Sequence, residues 1–110
     1  MILVKVGWRG MNVHRWDGLW FGWVTGGDLY TKLGRHVGRL RRHEVFGQRG
    51  QYMGELRDGR LIVDISKIGK NWVGFSPSLP MIGAPISVKT PEPLPLPEGF
   101  EDFPAPESVR

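Results

Sequence analysis

Cysteine is absent from this 110-residue chain. That removes disulfides, thiol catalysis and any cysteine-based zinc or iron–sulfur site. Long apolar runs are absent as well. No stretch approaches the roughly 18–20 residues that a membrane-spanning helix needs. The opening Met1-Ile2-Leu3-Val4-Lys5 is too short an apolar run for a secretion signal. The expectation is a soluble, cytoplasmic bacterial protein with no membrane partner. Catalytic signatures are missing too: there is no Gly-x-Ser-x-Gly elbow, no Gly-x-Gly-x-x-Gly and no Walker sequence. His14, His36 and His43 stand in no metal-ligand spacing, so they read as surface or half-buried histidines, and no cofactor or metal is expected. Helix is disfavoured, because no 3.6-residue apolar stripe persists and capping residues are lacking.

What the chain has is a repeat of 16 residues. Gly18, Gly34 and Gly50 keep that spacing, and so do Gly22, Gly38 and Gly54. An apolar pair opens each later unit, as Leu29-Tyr30, Val45-Phe46 and Leu61-Ile62, and a bulky or apolar pair precedes the second glycine, as Trp20-Phe21, His36-Val37 and Tyr52-Met53. After a four-residue insertion, Trp72-Val73-Gly74 stands where Tyr52-Met53-Gly54 stood. Each unit reads as strand, glycine turn, strand, turn. Asp17-Gly18 between β-formers predicts a two-residue type I′ hairpin turn. Isolated hairpins are marginal in water, so the units must pack on one another. The expected fold is all-β: four β-hairpin repeats around a pseudo-fourfold axis over residues 13–76. An N-terminal strand and lead-in occupies 1–12, and an extended Pro-rich tail occupies 77–110. Gly22, Gly38, Gly54 and Gly74 are the structural positions of this plan. A glycine at one place in every unit implies a close backbone approach that a Cβ would obstruct.

The grammar Asp28-Leu29-Tyr30-Thr31-Lys32-Leu33-Gly34-Arg35-His36-Val37-Gly38 resembles that of the uncharacterised bacterial four-fold β-flower family. The resemblance covers residues 13–76 and implies four petals about a common axis. It implies no activity.

Charge is uneven. Residues 1–76 carry 13 Lys/Arg against 6 Asp/Glu, and residues 77–110 carry 2 against 5 together with all 9 prolines. An acidic tail of this kind invites docking on the basic body or on a neighbouring copy, so a homo-oligomer built through the tail is one possible partnership. Leu94, Leu96, Phe100 and Phe103 are its candidate anchors. In the body, Asp17, Asp28, Asp58 and Asp64 read as turn residues, and nothing marks Glu44 and Glu55 as an acid–base pair. The strongest functional signal is the basic stretch from Arg35 to His43 with aromatics interleaved. Arg35, Arg39, Arg41, Arg42 and Tyr52 are the candidate nucleic-acid-binding residues, since arginines and rings on a sheet hold single strands. The leading expectation is a non-enzymatic β-repeat binding or assembly module. Its alternatives are a single-stranded nucleic-acid binder working through the arginine face and, last, a small hydrolase or toxin-associated enzyme. A salt-sensitive shift of labelled nucleic acid separates the first two, and a deep polar pocket with convergent carboxylates or histidines would favour the third.

Overall fold

The computed structural model describes residues 10–79 and 89–109. The strand expected near the N-terminus, at 2–6, lies outside the described residues. The fold is all-β. Its strands are β1 (Met11–Arg15), β2 (Trp20–Thr25), β3 (Asp28–Thr31), β4 (His36–Arg41), β5 (Glu44–Phe46), β6 (Tyr52–Arg57), β7 (Arg60–Asp64) and β8 (Phe100–Asp102). Short 3-10 turns follow at Ile65–Lys67 and Pro106–Ser108. Among the described residues, no helix is long and apolar enough to cross a membrane.

Each strand from β1 to β7 pairs antiparallel with the next, and β1 returns to pair with β7. That closing pair is parallel, His14 to Arg60 and Arg15 to Leu61. The direction follows from the count. Seven strands that alternate in direction bring the first and last together pointing the same way. The result is a closed seven-stranded barrel, with β8 added antiparallel to β7 through Ile62–Asp102, Val63–Glu101 and Asp64–Phe100. A barrel of this size has an interior just wide enough for side chains to fill.

Three hairpins, β1–β2, β3–β4 and β5–β6, carry the repeat into three dimensions. Each register slips at the same place, between Val13 and His14, between Leu29 and Tyr30, and between Val45 and Phe46. The extra residue on the returning strand is Phe21, Val37 or Met53. A bulge bends its strand and turns neighbouring side chains inward, so Phe21 and Val37 join the core beside the glycine column. Val13, Leu29, Val45 and Leu61, again 16 apart, are each fully buried in that core. Gly22, Gly38 and Gly54 lie opposite Val13, Leu29 and Val45.

The turn chemistry differs from the type I′ expectation. The Gly18 amide donates to the Arg15 carbonyl, and the Arg15 amide donates to the Leu19 carbonyl; the same pair of bonds recurs at Thr31/Gly34/Arg35 and Gly47/Gly50/Gln51. Gly18, Gly34 and Gly50 take φ of 94°, 89° and 82°, whereas Asp17 has no positive φ. These are three-residue loops closed by a left-handed glycine. Two positive φ values in succession fall instead between the hairpins, at Gly26-Gly27 and Asp58-Gly59. Arg42 holds φ 59° at the place matching Gly26 and Asp58. A non-glycine residue pays roughly 1–2 kcal/mol there, and glycine loses more chain entropy on ordering. Arg42→Gly is therefore expected to stabilise the fold by about 0.5–1 kcal/mol, read as a raised melting temperature.

The fourth unit departs from the expected plan. Its first strand is β7, but residues 72–79 hold no strand. Trp72-Val73-Gly74 does not return beside β7. Asn71 bridges to Gln51, the Trp72 amide donates to the Gly50 carbonyl and the Phe75 amide to the Gln48 carbonyl, so this segment lies against the β5–β6 turn. Gly74 is thus not the equivalent of Gly54. A Cβ on it would come within 2.5 Å of the Gln48 carbonyl oxygen. The edge of β7 is shared instead by β1 and β8, and a returning strand there would collide with barrel closure.

The tail runs back over the same chain. Its Leu94 amide donates to the Trp16 carbonyl, the Trp16 indole donates to the Pro95 carbonyl, and the Trp16 and Asp17 amides donate to the Asp102 carboxylate. Phe103 is fully buried and meets Phe21 edge to face at 5.2 Å. Phe100 is half-buried with the Arg57 guanidinium 4.6 Å from its ring centre. Leu94 and Leu96 are exposed, contrary to the expectation that all four apolar residues are buried. With no ladder partner along 91–97 among the described residues, no pairing there imposes the two-residue alternation that would turn them inward.

Candidate functional site

The hairpin repeat places equivalent residues directly opposite one another. On β3 and β4, Asp28 faces Arg39; one unit later, on β5 and β6, Glu44 faces Glu55. In the first pair charge is complementary, and Arg39 Nε bonds Asp28 Oδ1 at 3.2 Å. In the second, two carboxylates meet, both in buried residues. Like charges opposite one another destabilise a sheet, and buried carboxylates need partners. The connector after β7 supplies them. Lys67 Nζ lies 2.6 Å from Glu55 Oε2 and 3.0 Å from Glu44 Oε2, and Lys70 Nζ lies 2.9 Å from Glu44 Oε1. Asp64 begins this connector by accepting from the Ser66 hydroxyl at 2.7 Å and from the Ser66 amide at 3.0 Å; the hydroxyl bond first, and then the amide bond, hold its carboxyl below the usual range.

Tyr52 completes the network from below. Its hydroxyl donates to Glu55 Oε2 at 3.1 Å and accepts from the Asp64 amide at 3.0 Å. Burial, reinforced by the Glu55 charge, pushes the Tyr52 phenol up to about 12. The sequence assigned Tyr52 to base stacking. It is a buried residue of the core, with its amide donating to the Lys70 carbonyl of the connector. Glu55 Oε1 has no hydrogen-bond partner among the described residues, with Arg57 at 3.6 Å and His43 at 3.8 Å.

The ionisation chemistry is that of a lock. Hydrogen bonds from Lys70 and then Lys67 hold Glu44 below its ordinary 4.5. Bonds to Glu55 and then Glu44 raise Lys67 above its ordinary 10.5. A depressed carboxyl contributes stability that is present above 4.5 and lost as pH falls through its folded value; a raised ammonium contributes stability present below 10.5 and lost as pH rises through its folded value. Each displacement moves the group away from neutrality, whereas a general acid or base works best near the operating pH. Lys67→Met leaves the buried Glu55 with no hydrogen-bonded cation, only Arg57 at 3.6 Å and His43 at 3.8 Å, so we expect a loss of about 2–3 kcal/mol, below the usual cost of a fully buried pair because Lys67 reaches solvent and those cations remain. Glu55→Gln with Lys67→Met should recover most of it. A double-mutant cycle by urea melts checks this, and additive costs would contradict the lock.

One ligand atom each from His43, Glu44 and Glu55 lies within 4.8 Å of the others, a spacing open to a metal ion. The surrounding charge disfavours one. Lys67, Lys70 and Arg57 already contact these carboxylates, and a divalent ion would have to displace ammonium groups and sit among the cations left behind.

Outside the lock a cleft of about 290 Å³ opens, lined by Arg41, Arg42, His43, Glu44 and Lys70. Its one carboxylate is the Glu44 already held by two lysines, so the cleft presents net positive charge. Arg41 and Arg42 make no ion pair among the described residues. Alongside it, β4 carries Arg39 and Arg41 on one exposed face. The Arg39 guanidinium lies 5.0 Å from the Phe75 ring centre, and that of Arg41 5.2 Å from Trp72. Trp72 rests in turn against Phe46 at 5.6 Å. Phe75 ends an aromatic ladder through Trp20, Trp23, Tyr30 and His36. His36 Nδ1 accepts from the Ser78 amide, which leaves Nε2 to donate to Asp28. Buried and doubly engaged, it holds the segment that presents Phe75.

Of the predicted nucleic-acid residues, the structure brings Arg39, Arg41 and Arg42 together. Arg35 sits in the β3–β4 turn, seven residues and so about 20 Å of extended strand from Arg42. Glu44, Glu55, Lys67, Lys70, Trp72 and Phe75 were missed. The pairing of Glu44 with Glu55 was detectable from the repeat, since each sits 16 residues after a member of the Asp28–Arg39 pair; the lysines carry no such signal.

A second cleft, of about 490 Å³, is lined by Asn12, His14, Asp58, Gly59, Arg60, Lys89, Thr90 and Pro91. Burial lowers the His14 imidazole, opposed by a hydrogen bond with the Lys89 backbone. No family model, no curated protein and no solved structure matches the chain.

Proposed function

We propose that this protein is a non-enzymatic binding module that holds an anionic ligand at the cleft beside Arg41. One observation carries the reading: Arg41, Arg42 and Lys70 converge on a single cleft whose only carboxylate is already neutralised. Arg41 and Arg42 make no ion pair among the described residues, so their positive charge is left without a carboxylate to neutralise it. The titration of the lock supports binding over proton transfer, since its displaced groups stay in one charge state across neutral pH.

The repeat belongs to the same proposal. Three complete 16-residue hairpins and β7 as the start of a fourth support descent from a four-hairpin plan like that of the four-fold β-flower proteins, with β8 taking the edge left by the missing return strand. In this reading, the departure at 72–79 is what frees Trp72 and Phe75 to flank the arginines.

Heparin, a dense polyanion, tests the binding reading. Titration at about 50 mM salt should give saturable binding that weakens steeply by about 200 mM. Arg41→Ser with Arg42→Gly should weaken it about tenfold while the melting curve stays at or above that of wild type. Absence of heparin binding at the lower salt would overturn the proposal.

A further inference from the structure

We infer that the anion taken by this face is single-stranded nucleic acid, its phosphates held by Arg41, Arg42 and Lys70 and its bases stacked on the guanidinium planes of Arg39 and Arg41. This rests on the anion-binding reading and goes further by naming the polymer. The first argument is shape. The positive charge extends beyond the cleft along β4. Arg39 and Arg41 are two residues apart on one strand face, so about 6.6 Å separates them, comparable to the phosphate step of an extended single strand. Arg41 also lines the cleft, where Arg42 and Lys70 add their charge to it.

The second argument is chemistry. Each arginine on β4 lies over an aromatic ring of the segment 71–79. Arg39 and Arg41 are exposed as well as ring-backed, and an exposed flat cation can serve as a stacking platform for a base as well as a phosphate donor. A sulfated sugar polymer would use the charge and gain nothing from the rings. Trp72 is 38% exposed despite its contacts with Phe46 and Arg41, so its indole edge borders the same track. Arg39 shares its charge with Asp28 at 3.2 Å, which leaves it a stacking contact more than a phosphate contact. Duplex is disfavoured: the arginines follow one short strand of a closed barrel, and among the described residues no helix or paired ribbon projects from it to enter a groove.

The test compares two polyanions of different chemistry on the full chain. Fluorescence anisotropy of a labelled oligo-dT of about a dozen nucleotides should show binding at about 50 mM salt, with a log–log salt slope near −2 for about three phosphates. Trp72→Ala should weaken oligo-dT about tenfold and change heparin affinity less than about twofold, with heparin retention certifying the folded face. Arg41→Lys keeps the charge and loses the plane, so it should also weaken oligo-dT selectively. Heparin binding without oligo-dT binding would overturn this inference and leave the anion-binding reading standing. Loss of both ligands in equal measure on Trp72→Ala and on Arg41→Lys would overturn the stacking role. Failure of both polyanions to bind wild type would overturn inference and reading together.

Discussion

Gly22→Val is expected to abolish the cooperative melt of this protein. A Cβ at Gly22 would coincide with the Tyr30 carbonyl oxygen and lie 2.7 Å from the Thr31 backbone. Those atoms belong to β3, the ladder partner of β2, and cannot move without breaking barrel hydrogen bonds. Overpacking against side chains costs about 1–3 kcal/mol; here the obstruction is main chain, so the cost should exceed that range and rival the whole stability of a domain this small. The glycine column supplies its own control. At Gly38 the nearest atom to a new Cβ is a Val45 methyl at 2.8 Å, which can rotate, so Gly38→Ala should cost only about 1–3 kcal/mol. Circular dichroism melts of the two variants decide it. A Gly22→Val protein that melts within about a degree of wild type would refute the close approach.

Phe103→Ala should be nearly as damaging, although Phe103 lies far along the tail. Its ring is fully buried in the main core, edge-on to Phe21, and it fills the space that the missing side chain of Gly54 leaves open. Removing a buried Phe ring costs about 3–5 kcal/mol, and for a chain of this size each kcal/mol lowers the melting temperature by about 4–8 °C. A fall of at least about 12 °C is expected. Leu94→Ala and Leu96→Ala, at exposed positions, should change stability by less than about 0.5 kcal/mol. The ion pairs that also join tail and body, Arg15–Asp102 and Lys32–Glu107, lie at or near the surface and add little. A Phe103→Ala melt indistinguishable from wild type would show that the barrel closes its core without the tail.

The repeat made much of this architecture legible before any coordinates. Val13, Leu29, Val45 and Leu61 repeat as core, Gly18, Gly34 and Gly50 as left-handed turn residues, and Gly22, Gly38 and Gly54 as places with no room for a side chain. These are local facts. A hairpin is written within a dozen residues, and periodicity multiplies each signal. Even the obstruction at the glycines has a period, since the carbonyls of Tyr30, Phe46 and Ile62 are the neighbours of Gly22, Gly38 and Gly54. The neighbour is the next strand along, not a crowded central axis.

What stayed hidden depends on pairings between distant segments. Whether Trp72-Val73-Gly74 would return as a strand depended on which segment reached the edge of β7 first, and β1 and β8 occupy it. Tyr52 looked like an exposed ring because nothing local says that Lys67 and Lys70 come to lie over its column. Those lysines meet Glu44 across 23 and 26 residues of sequence. The sequence by itself determined the hairpin unit and the places of its turn glycines, though not the turn type, because sterics and two-residue alternation act within one unit. Only the tertiary structure decided the seven-strand closure, the Phe103 plug and the cleft beside Arg41. Barrel closure, burial and charge neutralisation are satisfied by whichever segments the whole chain can bring together, and no single unit holds that information.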